Sequence, residues 1–222
     1  MPGMGGTKML TLYGRATSSN VQAVMWAMAE LGLDYDRIDV GGSFGGLDTP
    51  DFKAMSPHGR IPVLVHDGGP AMFESGAILR YLATQFGTGP FWPSDPRARA
   101  QVDMWAEWAK IEIANRFTGP IFWRVVRTPK ARHDLPAIRA AVDRLEQELT
   151  IADAVLAKRD YLAGDTLTLA DIPIGHVLYR YFDIDIQRRD LPALAAYYQR
   201  LTERAAYRNT VMVSYESLRN TI

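Results

Sequence analysis

Apolar residues recur at Val21, Val24, Met25, Met28 and Leu31, the three-and-four spacing that predicts a helix with one buried face, starting near residue 18 and stopping at Gly32. Ahead of it, KMLTLYG (8–14) alternates around Leu10, Leu12 and Tyr13 and ends at a glycine, which predicts a strand feeding that helix. DYDRIDV (34–40) alternates again and predicts a second strand. The next stretch, 41–59, is dense in Gly, Pro and Asp, leaving room for one short helix. RIPVLVHDGG (60–69) and PAMF (70–73) predict an antiparallel hairpin closed by Asp-Gly-Gly. ESGAILRYLATQFG (74–87) returns to helical spacing through Ile78, Leu79, Tyr81, Leu82 and Phe86.

GTGPFWPSDP (87–96) cannot continue a helix and predicts a linker. Beyond it the chain reads as helix over about 97–126, 135–158, 170–183 and 191–217. LTLADIP (167–173) predicts a helix start with Thr168 as N-cap, Asp171 as the capping-box acid and Leu167 with Ile172 as a hydrophobic staple. A mixed front and an all-helical back predict two domains, 1–86 and 97–222, joined by 87–96.

At 222 residues and 47% hydrophobic content the chain can bury a substantial core. Lys plus Arg balances Asp plus Glu at 25 each, which argues against nucleic acid or an anionic membrane surface as partner. The absence of cysteine removes disulfides, thiolate metal sites and any nucleophilic Cys, so thiol chemistry needs a borrowed thiol. No apolar run approaches a membrane span and the Gly-rich start lacks a secretory h-region, so a cytoplasmic protein is expected.

The entrance to the first helix, Thr17, Ser18, Ser19 and Asn20, is unusually polar. Such residues cap the free N–H groups of a first turn in any protein. The same N–H groups and the helix dipole also attract an anion. Residues alone leave both readings open.

YGRATSSN after the first strand, GRIPVL, ESGAILRYL after the hairpin, the Pro-rich linker and GDTLTLADIPIG follow one another in an order that resembles the cytosolic glutathione transferases. The likeness covers nearly the whole chain and is greatest to the bacterial theta-like and nu-like groups, where Ser or Thr followed two residues later by Asn opens the first helix. It implies an α+β two-domain protein: a thioredoxin-like first domain that binds glutathione, and an all-α second domain. One departure is Ser56–Pro57, where similar sequences often have Asn–Pro.

What the resemblance implies for the site can be weighed physically. A free thiol ionises near pH 8.5, and lowering that by about two units takes on the order of 2.7 kcal/mol. A hydroxyl donated to the anion contributes about 1.5–3 kcal/mol and a helix N-terminus about 0.3–1, which together suffice. Ser18 is the expected donor, matching Ser-x-Asn-Val, with Asn20 its rival; Thr17 and Ser19 are less favoured, and Tyr13 sits inside the strand. Pro62 is expected to follow a cis bond that turns Ile61 toward the cysteinyl unit. Glu74 would pair the γ-glutamyl amino group and Ser75 its carboxylate, although capping alone also accounts for both. Lys53 and Arg60 are equal candidates for the glycyl carboxylate, while His58 reads as a turn residue.

The electrophile should meet one or two of Trp105, Trp108, Phe117, Phe122 and Trp123, with Arg116 as polar partner, since most aromatics at helical spacing are core. The implied activity is conjugation of glutathione, as thiolate, to hydrophobic electrophiles, or reduction of peroxides or disulfides, without a metal. A protein of the same fold that only binds apolar ligands, or serves assembly, is the alternative. The resemblance also implies a homodimer and a role in detoxification.

Overall fold

The computed structural model describes residues 10–222. Strand β1 (Leu10–Tyr13) pairs in parallel with β2 (Tyr35–Ile38) and antiparallel with β3 (Val63–His66), which pairs antiparallel with β4 (Met72–Phe73). The sheet order is therefore β2-β1-β3-β4. Lys8 and Met9 of the expected first strand lie outside the described residues. Between β1 and β2 runs α1 (Ser19–Glu30), α2 (Pro50–Met55) precedes β3, and α3 (Ser75–Phe86) follows β4. This is the mixed front domain that the alternating and helical spacings predict.

Leu10, Leu12 and Leu64 of the sheet bury against Val21, Val24 and Met28 of α1 and Ile78 and Leu82 of α3, all essentially free of solvent. The close contact of β1 with α1 needs Gly14, because a Cβ there would come within 2.5 Å of Val21 at a φ of +149°. Gly87–Asp95 carries neither helix nor strand, yet Phe91 and Trp92 are buried and Phe91 accepts a hydrogen bond from the Leu169 N–H.

From Pro96 to Arg127 the chain winds without a break: α4 (Pro96–Trp108), a π-helical stretch (Ala109–Ala114), the single turn α5 (Asn115–Phe117) and a second π-helical stretch (Thr118–Arg127). Pro120 has no N–H to give to a tight turn, and the wider turn is seen in the bond from the Thr128 N–H to the Trp123 carbonyl. Then follow α6 (Leu135–Leu156), α7 (Asp171–Asp183), α8 (Pro192–Thr202) and α9 (Ala205–Thr210).

One expectation is corrected. The helix expected over 191–217 is split at Glu203–Arg204 and stops at Thr210, because Arg204 turns out of the helix and is held by Glu30 through paired bonds of 2.8 and 2.6 Å. The regular α7 begins at Asp171, after Ala170, and the expected capping bonds are made ahead of it, with Thr168 Oγ1 accepting from the Ala170 N–H at 3.2 Å. Thr168 lies one turn earlier: its N–H donates to the buried Asp171 carboxylate, which also accepts from the Leu162 N–H and the Tyr197 hydroxyl. Burial pushes the Asp171 carboxyl above its ordinary value, against those hydrogen bonds.

The large core joins the two parts. Trp26 of α1 is fully buried against α7, meets Tyr207 edge-to-face at 4.9 Å, and fits only because residue 175 is glycine, where a Cβ would lie 2.6 Å from the indole.

Candidate functional site

The loop before β3 is clasped by Ser56, which is fully buried. Its Oγ accepts from the Arg60 N–H at 3.3 Å and lies 2.8 Å from His58 Nδ1. In turn, His58 Nε2 is 3.0 Å from the Glu74 carboxylate. Serine thus fills the loop role at the position where the pattern departs from asparagine. The chain next passes through a cis Ile61–Pro62 bond, as the resemblance implies.

Glu74 directly precedes α3 with φ at 68° and ψ at 114°, a conformation that costs a non-glycine residue on the order of 1–3 kcal/mol and tends to mark functional sites. It delivers Ser75, which is buried, to the first turn of α3.

Asn20, Arg60, Ile61, Pro62, Glu74 and Ser75 all line one cleft of about 240 Å³, together with His58. Two residues from the helical part complete it, Lys110 and Asn115. The Lys110 ammonium donates to Asn20 Oδ1 at 2.7 Å and to Ser75 Oγ at 2.9 Å. Burial holds Lys110 below its ordinary value, opposed by the charges of Glu74 and Glu107. This end of the cleft offers a cation, a hydroxyl and the start of α3, a combination that suits a carboxylate. Glu74 beside it suits an ammonium.

Ser18 lies at the entrance of α1, and its hydroxyl makes no capping bond, so it is free to donate elsewhere. It lines a second, smaller cavity of about 70 Å³ with Thr17, Ser19, Phe122, Trp123 and the arginines Arg15, Arg127 and Arg180. Asn20 borders both cavities. A group held between Ser18 and Asn20 would therefore stand at the N-terminus of α1.

Other expected site residues stand apart. Lys53 is exposed on α2, 3.7 Å from Asp48, and does not border the cleft. Phe117 is 1% exposed within the core and meets Phe122 and Tyr181. Trp105 and Trp108 pack edge-to-face at 5.2 Å, with the Trp108 indole donating to Glu148. Arg116 is paired with Glu112 one turn away. Of the aromatics considered, Phe122 and Trp123, which lie in the second π-helical stretch, border the cavity beside Ser18.

Lys110, Arg15, Arg127 and Arg180 escape sequence reasoning. The available signal was a charged residue in a largely apolar helix: Arg180 follows Ile172, Ile174 and Val177 in α7 and is 2% exposed.

The glutathione S-transferase N-terminal domain matches residues 8–84 and the glutathione S-transferase C-terminal domain matches residues 116–205. The chain belongs to the glutathione S-transferase family. It is 38% identical to glutathione S-transferase GstB of Escherichia coli K12 over 206 residues, 92% of this chain and 99% of that protein. It is 34% identical to glutathione S-transferase 3 of Zea mays over 73% of each. In structure it is similar to the theta class glutathione S-transferase of Xanthomonas axonopodis pv. citri with glutathione bound, with TM-score 0.86 and 42% identity over 92% of this chain and 98% of that one. Among the described residues no cluster of metal-ligating side chains occurs and no helix is long and apolar enough to cross a membrane.

Proposed function

We propose that this glutathione transferase holds glutathione along the cleft that runs from Ser75 to Asn20, with the sulfur beside Ser18. The observation that carries the reading is that Asn20 borders both cavities, one with the charges for a zwitterionic end group and the other lined by the Ser18 hydroxyl at a helix N-terminus. The γ-glutamyl carboxylate sits against Ser75 and Lys110, its ammonium against Glu74, and the cysteinyl backbone against Ile61. Arg60, which borders the cleft where Lys53 does not, takes the glycyl carboxylate.

Ser18 donates its O–H to the sulfur and never attacks. Hydroxyl and helix dipole favour the thiolate, which is the nucleophile toward an electrophilic carbon. Asn20 aligns the sulfur from the other side. Since the Asn20 Oδ1 is taken by Lys110, its amide group is fixed, and Ser18 is left as the adjustable donor.

Residues 1–86 act as the glutathione-binding unit, 87–96 as linker and 97–222 as the unit that supplies the electrophile cavity. The enzyme works in the cytoplasm as a homodimer in detoxification. Exposed apolar side chains at Phe73, Met104 and Ile111 support a subunit interface. Thiol consumption in the presence of glutathione and a panel of halides, epoxides, isothiocyanates, peroxides and disulfides tests the reading. Acceleration over the enzyme-free rate with at least one class is expected, and none with any class overturns it.

A further inference from the structure

The cavity beside Ser18 is more cationic than an apolar acceptor requires. Arg15, Arg127 and Arg180 all border it, in company with Phe122 and Trp123. Arg180 is 2% exposed, and its guanidinium lies 4.7 Å over the Phe122 ring and donates to the Thr17 carbonyl at 2.8 Å. Its Nε and that of Arg15 are enclosed without any hydrogen-bond acceptor among the described residues. Arg127 lies 5.2 Å over Trp123 and donates to the Thr221 hydroxyl.

Buried arginines normally meet a carboxylate, because an enclosed charge without one is costly. Here Arg127 lowers Arg15 and Arg15 lowers Arg180, while the groups that oppose the lowering of Arg180 are the Tyr215 and Tyr179 phenols rather than a carboxylate. Burial brings Arg180 down to about 10, opposed by Tyr215 and Tyr179 and aided by Arg15. The cluster behaves as a site awaiting an anion, with hydrogen-bond donors already enclosed and aromatic walls at its side.

We propose that the acceptor substrates of this enzyme are compact electrophiles carrying a carboxylate next to the reacting carbon, held by Arg180 and Arg15 while the sulfur attacks beside Ser18. The proposal rests on the glutathione reading above. In the step, the thiolate lone pair forms the new sulfur–carbon bond as the leaving group departs with its bonding pair, and the thiol proton has already passed to solvent. The carboxylate takes no part in bond making. Arg180 and Arg15 offset its repulsion by the approaching thiolate, which slows such acceptors in water.

Calorimetric binding of two isosteric conjugates, S-carboxymethylglutathione and S-carbamoylmethylglutathione, tests this with free glutathione as reference. The carboxymethyl conjugate should bind at least tenfold more tightly than its neutral isostere. Arg15→Gln, on a partly exposed side chain, and Arg180→Gln should each erase most of that preference while leaving the affinity for free glutathione within about twofold. Equal affinity of the two conjugates, with glutathione still bound, overturns the anionic acceptor and leaves the glutathione site standing. Equal weakening of all three ligands in the arginine variants also overturns it, by assigning the arginines to glutathione itself. Failure of free glutathione to bind the unaltered protein removes both readings.

Discussion

The Lys110 ammonium lies 2.7 Å from the Oδ1 of Asn20, so a residue from the helical part fixes the side chain that borders both cavities. Lys110 also reaches Ser75 at 2.9 Å, which makes it the bridge between the starts of α1 and α3. If the γ-glutamyl carboxylate joins this group, Lys110→Met should weaken glutathione binding about tenfold or more, the effect of losing one charge-assisted bond. Calorimetry at low and high salt checks it, and unchanged affinity would show that Lys110 serves only to position Asn20.

Ser18 and Asn20 make distinguishable contributions. Ser18→Ala should lower turnover at least about tenfold with little change in glutathione affinity, because the lost bond favours only the ionised sulfur. Asn20→Ala should disturb both, since it frees Lys110 as well. Steady-state kinetics with saturating acceptor separates the two, and a larger loss of turnover in Asn20→Ala would transfer the donor role to the amide.

Trp26 rests against Gly175 with no space for a methyl group, the ideal Cβ lying 2.6 Å from the ring and 2.9 Å from Leu201. Gly175→Ala should therefore destabilise the fold by about 1–3 kcal/mol, the usual range for overpacking. Urea unfolding measures it. A stability equal to that of the parent would mean that α1 and α7 can slide apart cheaply.

His176 is enclosed in α7, where burial first and the Lys110 charge second lower it from 6.5 to about 3. The unfolded chain therefore takes up this proton before the folded one does. Stability that is present above about 6.5 is lost as pH falls toward 3, by about 2 kcal/mol between pH 7 and pH 5 for this group alone. Urea unfolding at both pH values, in the parent and in His176→Gln, should show a steeper acid loss in the parent. Parallel losses would place the proton uptake elsewhere.

Much of the front of the chain is legible in its sequence. Two-residue alternation in LTLY, the apolar run VLV and the glycine-rich turn after His66 point directly to strands that hydrogen-bond locally. The residues lining the larger cleft from that part, Arg60 to Pro62 and Glu74 with Ser75, lie in two short runs and come with their motifs. The second wall is different. Lys110 and Trp123 lie in π-helical turns, where a 3.6-residue period no longer tells which side chains share a face. That is why Lys110 goes unnoticed, whereas Trp105 and Trp108, in the regular α4, read as candidates by residue type and pack against each other instead. Arg15 and Arg180 are 165 residues apart, and only packing of α7 on α1 brings them to one cavity.

The ionisation of glutathione on the enzyme tests the account most directly. Thiolate absorbance of the complex, followed from acid to alkaline pH, should show the bound thiol ionising about two units below its free value of about 8.5, and Ser18→Ala should return most of that shift. A bound thiol that ionises where it does in water would contradict the account.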